Sequence, residues 1–88
     1  MYYVYILYAT RYNKSYVGYT HDVEKRIEEH NFTAIKGYTI SYRPWALIHT
    51  EAFETKTEAI KKEKYYKTGV GREIIKGMIE DFLQRAKD

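Results

Sequence analysis

Five side chains form a set suited to phosphodiester chemistry: Tyr5, Tyr16, Arg26, His30 and Glu63. A phenol can relay a proton, a guanidinium can clamp a phosphate, an imidazole can shuttle a proton, and a carboxylate can hold one cation. None of the five is diagnostic alone. Their order and spacing carry the reading.

Each residue also has a plainer explanation. Glu63 lies four residues after Ala59 and three from both Ile60 and Tyr66, so it falls within the apolar stripe of a helix. Burying an unpaired carboxylate is costly, and a cation would compensate. Magnesium is often held by one or two carboxylates, with waters and substrate phosphates completing its shell. A salt bridge, or a stripe edge where Glu63 reaches solvent, fits the same pattern. Arg26 could neutralise charge developing on a phosphate, or simply pair with Glu29 on an exposed helix.

Tyr5 and Tyr16 could lie side by side on one hairpin face. A phenol, with a pKa of about 10, is a poor base unless a cation lowers it. A cross-strand aromatic pair is the plainer reading. His30 could contact the scissile phosphate or shuttle a proton. It could equally be a surface histidine favoured by a helix C-terminus. His21 and His49 show no partner at ligand spacing and receive no role. Zinc is not expected without a convergent ligand set.

These residues need elements to position them. Residues 2–8, YYVYILY, are aromatic and β-branched throughout and predict a strand buried on both faces. A polar turn from Arg11 to Lys14 leads into a second strand, SYVGY at 15–19, giving an antiparallel hairpin. Alternation puts Tyr3, Tyr5 and Leu7 on one face and Val4, Ile6 and Tyr8 on the other. Tyr16 and Gly18 point one way, Val17 and Tyr19 the other. Gly18 in mid-strand predicts a bulge or a close approach by another group.

Thr20 is the expected N-cap of a helix running to about Asn31, with Asp22 in its first turn. Arg26 and His30, four apart, are neighbours on one face of it. Residues 32–44 read as a long loop with a helical turn, punctuated by Gly37, Ser41 and Pro44. A third strand with imperfect alternation covers 45–53, WALIHTEAF. Thr55 to Glu58 matches a capping box. The helix it opens is expected to end near Thr68, with Gly69 as a left-handed terminator. A packing helix follows from about Arg72 to Arg85, with Ile74, Ile75, Met78, Ile79, Phe82 and Leu83 as its apolar face. The order is β-β-α-loop-β-α-α, an α+β arrangement of a small antiparallel sheet with helices.

The 88 residues allow one domain, expected over 1–88, with a modest core. The absence of cysteine removes disulfides, thiolate zinc sites and cysteine nucleophiles. No apolar run is long enough to span a bilayer, MYYVYIL lacks a signal-peptide pattern, and a cytoplasmic location fits. A net charge of +3 is mildly compatible with a polyanion partner. Eleven tyrosines are many for this length. Their rings can stack on bases and their hydroxyls can reach phosphates, although β-propensity alone accounts for most of them.

The chain resembles the GIY-YIG nuclease superfamily, in its small single-domain, UPF0213-like members. Tyr3-Val4-Tyr5 stands for the first motif and Tyr16-Val17-Gly18 for the second. YVGYTHDVEKRIEEH at 16–30 is similar to the family's strand-to-helix segment with its arginine. TKTEAIKKEKYYKTGVGRE resembles its glutamate helix and glycine-bearing turn.

That resemblance implies a three-stranded antiparallel sheet flanked by helices, and metal-dependent hydrolysis of nucleic-acid phosphodiesters. Carried over, Tyr5 lines the site and Tyr16 is the general base or proton relay. Arg26 stabilises the pentacovalent phosphate, His30 stands near it, and Glu63 ligates one divalent cation, Mg2+ or Mn2+. Three departures stand out. Tyr3 replaces the glycine that usually opens the first motif, Tyr19 stands where several members have a lysine, and a late family asparagine has no clear counterpart.

The leading expectation is an endonuclease or related phosphodiesterase acting on DNA more than RNA, in repair or recombination, with an accessory DNA-binding protein as a further partner. The alternative is a nucleic-acid-binding module with weak or lost catalysis. A protein-interaction domain using exposed tyrosines ranks third.

Overall fold

The computed structural model describes residues 1–86. The expected domain span of 1–88 therefore runs past the described residues at 87–88. Strands β1 (Tyr2–Ala9), β2 (Lys14–Thr20) and β3 (Ala46–Phe53) form one antiparallel sheet in the order β2-β1-β3. Helices α1 (Val23–Glu28), α2 (Lys56–Tyr66) and α3 (Gly69–Ala86) complete the α+β arrangement expected from the sequence. No described helix is long and apolar enough to cross a membrane.

The central strand β1 is aromatic and β-branched because it is covered on both sides. Val4 and Ile6 pack with Val17, Ala59, Tyr66 and Ile75 on the side of α2 and α3. Tyr5, Leu7 and Ala9 pack with Trp45 on the other. Each fully buried aliphatic side chain contributes about 2 kcal/mol of hydrophobic stabilisation before entropic costs. The hairpin turn places Asn13 at φ 52°, and its side-chain oxygen accepts the Tyr8 hydroxyl at 2.8 Å. The imperfect alternation in β3 has a local cause. Ile6 faces His49 but Leu7 faces Leu47, so Ile48 is an extra residue that shifts the register.

Several boundaries differ from the sequence reading. Asp22, not Thr20, caps α1: Asp22 has extended backbone and its Oδ1 accepts the Lys25 N–H at 3.1 Å. Thr20 is still the last residue of β2, and its hydroxyl instead accepts the Asp22 N–H. Helix α1 stops at Glu28 and continues as a π-helical turn over Glu29–Thr33. The helical turn expected within 32–44 is a 3-10 turn at Tyr38–Tyr42. Both bonds of the Thr55–Glu58 capping box form. Gly69 is not a left-handed terminator, because α3 begins there. The glycine this junction requires is Gly71, where a Cβ would run into the Tyr65 carbonyl oxygen. That contact brings the start of α3 against the end of α2.

Candidate active site

The site is built around an absent side chain. Gly18 faces Tyr5 across the β1–β2 ladder, and directly opposed residues share a face. A Cβ on Gly18 would lie 2.5 Å from the Tyr5 hydroxyl oxygen and 3.1 Å from the Tyr16 ring. The glycine therefore vacates the space that the phenol fills, which is the close approach its mid-strand position predicts.

Tyr5 joins three elements. Arg26 Nε donates to its hydroxyl oxygen at 3.4 Å, and His30 Nε2 lies 2.8 Å from the same atom. Arginine can only donate, so Tyr5 accepts there and turns its own proton toward His30. With that proton on the Tyr5–His30 bond, Nε2 accepts and Nδ1 donates to Thr39 Oγ1 at 2.9 Å. Arg26 and His30 reach one atom because they lie four apart where α1 passes into the π-helical turn. Arg43 secures that turn from outside. Its guanidinium donates to the carbonyls of His30 at 2.5 Å, Glu29 at 3.1 Å and Ala34 at 2.7 Å. The Glu29 carbonyl also accepts the Ala34 N–H that closes the turn, so Arg43 adds a second donor there.

Burial pushes the Tyr5 hydroxyl up to about 12, against the opposing pull of the Arg26 hydrogen bond. Burial also lowers His30, and the Arg26 charge adds to the effect. The hydrogen bond to Tyr5 holds Arg26 above its ordinary range. At neutral pH the group thus contains a protonated phenol, a neutral imidazole and a charged guanidinium. The Tyr16 ring closes the cluster, 6.3 Å from Tyr5 and edge-on to His30 at 5.0 Å between centroids.

Beside this cluster a cavity of about 610 Å³ is lined by Tyr5, Tyr16, Arg26 and Glu63, with Lys25 and Lys56 adding positive charge. It straddles the open β2 edge. Tyr2 and Tyr19, which pack toward α2 and α3, share its wall with Tyr5 and Tyr16 from the opposite face. That is how Glu63 reaches it, although its helix buries Ala59 and Tyr66 on the far face. His30 is not in this wall; it is buried behind Tyr5 and lines a smaller cavity with Thr39.

Glu63 has one protein partner within ion-pair range among the described residues, Lys67 Nζ at 3.5 Å. Its side chain is only 17% exposed. The salt bridge offsets its burial, so burial alone does not demand a metal. The other carboxylates in the wall are engaged, Glu29 with Arg26 at 3.2 Å and Asp22 in capping α1. Among the described residues no cluster of three metal-ligating side chains exists. The donor set thus fits an ion that takes a single carboxylate and fills its shell with water and substrate oxygens, as magnesium does. It does not fit structural zinc.

A family model described as the GIY-YIG catalytic domain matches residues 1–74. The chain belongs to the GIY-YIG family. Its domain has the nuclease fold whose members generally use divalent metal ions and act on nucleic acid. A UPF0213 protein of Staphylococcus haemolyticus is 40% identical over 79 residues, covering 90% of this chain and 94% of that protein. A UPF0213 protein of Bacillus velezensis is 46% identical over 55 residues, covering 62% of this chain but only 56% of the relative's length. The solution NMR structure of a UPF0213 protein from Bacillus halodurans superposes with a TM-score of 0.52 at 34% identity, covering 89% of this chain and 85% of that one.

Within this GIY-YIG domain, the structure brings Tyr5, Tyr16, Arg26 and Glu63 to one cavity and places His30 one hydrogen bond away. Sequence reading missed Thr39 and Arg43, which orient His30 and its turn. Neither carries a local signal, since each acts on a partner nine or more residues away. Tyr19 also stands in the cavity wall.

Proposed function

We propose that this chain is a metal-dependent endonuclease or related phosphodiesterase acting on DNA, in repair or recombination. The observation that carries the reading is the shared cavity of Tyr5, Tyr16, Arg26 and Glu63, residues from two strands and two helices. One GIY-YIG domain over residues 1–88, working in the cytoplasm with an accessory DNA-binding protein, completes it.

Arg26 binds the scissile phosphate. Its Nε is taken by Tyr5 and its Nη1 by Glu29, which leaves Nη2 for a phosphate oxygen. Charge developing there is stabilised by a guanidinium that stays protonated throughout. Tyr16 accepts a proton from the attacking water or relays it. Tyr5, which shares no direct hydrogen bond with Tyr16, would provide the onward path through water in the shared cavity: as a proton reaches its oxygen, its own passes to His30 Nε2. Thr39 holds the ring in place, accepting from Nδ1 when Nε2 is the open nitrogen. Glu63 would hold a divalent cation, Mg2+ or Mn2+, whose chemistry is to stabilise negative charge on the leaving oxygen.

The test is cleavage of branched, flapped and single-stranded DNA with magnesium or manganese, comparing wild type with Glu63→Ala. Wild type should cut, and the variant should lose activity by about a hundredfold or more. Equal trace activity in both would sink the assignment. A second reading, a nucleic-acid-binding module without catalysis, is favoured by the Lys67 pairing of Glu63 and by Tyr19 in the wall. It predicts binding that weakens with salt and no cleavage under any ion.

A further inference from the structure

Eleven tyrosines are more than the core absorbs. Tyr5, Tyr8 and Tyr66 are buried, but Tyr38 is 49% exposed and Tyr12 43%. These two belong to a continuous row of rings that starts in the cavity wall. Tyr16 and Tyr38 lie 25° from parallel with centroids 6.4 Å apart. Tyr42 follows at 5.0 Å from Tyr38, and Tyr12 at 5.5 Å from Tyr42. Cations flank the outer end, with Lys14 Nζ 5.6 Å from the Tyr42 centroid and Arg11 Cζ 5.9 Å from that of Tyr12. Between the row and the phosphate site sits a second cavity of about 160 Å³, lined by Tyr16, Arg26, Lys36, Gly37 and Tyr38 among others. Gly37, at φ +119°, gives the chain the bend that presents Lys36 and Tyr38 together.

We propose that Tyr38, facing Tyr16 across this smaller cavity, forms a stacking subsite for one unpaired nucleobase next to the scissile phosphate, with Lys36 meeting the adjoining phosphate. The inference rests on the phosphodiesterase reading and specifies its substrate. Tyr38 is half exposed and its ring lies 25° from parallel to that of Tyr16 in the wall of the same cavity, so a base entering there can stack on the exposed Tyr38 face. A base within a duplex already has both faces and its pairing edge occupied, so only a base out of the helix can enter. Aromatic rings interleaved with cations are the usual means of holding a single strand, since every base offers a π-face and every link a phosphate. Tyr42 and Tyr12, with Lys14 and Arg11, extend the same chemistry outward along the strand.

The test is fluorescence anisotropy of the whole chain in chelator, which stops turnover, with three probes. They are a labelled single strand, the same strand in a blunt duplex, and an abasic strand of equal length and charge. Wild type should bind the base-bearing single strand more tightly than either of the others. Tyr38→Ala should weaken that binding about tenfold and leave the abasic strand unaffected, whereas Tyr38→Phe keeps the ring and the affinity. Loss with both Tyr38→Ala and Tyr38→Phe, or equal wild-type affinity for the abasic and base-bearing strands, would overturn the subsite. So would an unchanged affinity in Tyr38→Ala. Metal-dependent cleavage that is lost in Glu63→Ala would survive those results, so the subsite can fail alone. If no probe binds and none is cut, both proposals fall.

Discussion

Two buried tyrosines, one on each face of the sheet, have hydroxyls in opposite company. On the side of α2 and α3, Tyr66 donates to the Glu51 carboxylate. Lys62 Nζ stands 3.8 Å from the same carboxylate, and His49 Nε2 lies 3.2 Å from it, buried but not aimed to form a hydrogen bond. Burial pushes the Tyr66 hydroxyl far up, and the bond to Glu51 pushes it further. Its proton is fixed by an anion, and the bond ties α2 to β3. On the other face, Tyr5 donates to a neutral imidazole and accepts from a guanidinium. Burial raises it too, but Arg26 pulls the other way. Its proton has somewhere to go. One kind of side chain, buried on both faces, is a structural tie in one setting and, in the proposed mechanism, a proton path in the other, and the partners make the difference.

If that contrast is right, variants on the two faces should separate activity from stability. The largest effect is expected for Arg26→Ala. Cleavage should fall by about a hundredfold to a thousandfold in single-turnover assays, because charge on the phosphate loses its partner. The melting temperature should fall less than in Tyr66→Phe, since the Arg26–Glu29 pair is exposed and the Arg26 bond to Tyr5 is long at 3.4 Å. Tyr5→Phe should come next, lowering kcat by about a hundredfold through loss of the relay.

Tyr66→Phe should do the reverse. It should destabilise by about 2 kcal/mol in chemical denaturation, the worth of a hydrogen bond to a charged group, with kcat per folded molecule unchanged. Equal activity losses in Tyr5→Phe and Tyr66→Phe would erase the distinction. Gly18→Ala should move both readouts, because its methyl group would displace a phenol held by two partners. Overpacking of this kind costs about 1–3 kcal/mol.

The smallest effect concerns pH. The folded state lowers His30 below its ordinary 6.5. Its stabilising contribution is therefore full above that value and lost as pH falls through the lowered one. Tyr5, raised from 10.0 to about 12, contributes fully below pH 10 and loses its contribution as pH rises through about 12. Melts of wild type should show an acid-side loss that His30→Gln flattens and Tyr66→Phe leaves in place. An identical acid slope in His30→Gln would remove His30 from the linkage.

Much of this could be read from the chain because it is local. YYVYILY declares a strand covered on both faces, and the Thr55–Glu58 spacing declares its capping box. Gly18 declares a close neighbour, though not that the neighbour is Tyr5. What stayed hidden depends on distant partners. Thr39 is an unremarkable threonine until His30 folds over it, and Arg43 donates to carbonyls nine to fourteen residues before it. Nothing local marks Glu51 as the partner of Tyr66, fifteen residues further on. The start of α1 and the end of α2 differ from the sequence reading for a related reason. Both Thr20 and Asp22 are good caps, and both Gly69 and Gly71 are good turn residues, so backbone context rather than residue type chooses between them.

The central claim is that residues far apart in the chain meet around one cation at the β2 edge. Anomalous diffraction from a manganese-soaked crystal tests it most directly. A single strong peak should appear beside the Glu63 carboxylate, inside the cavity walled by Tyr5, Tyr16 and Arg26, and should vanish in Glu63→Gln. No peak there at saturating manganese, or a peak that survives the substitution, would contradict it.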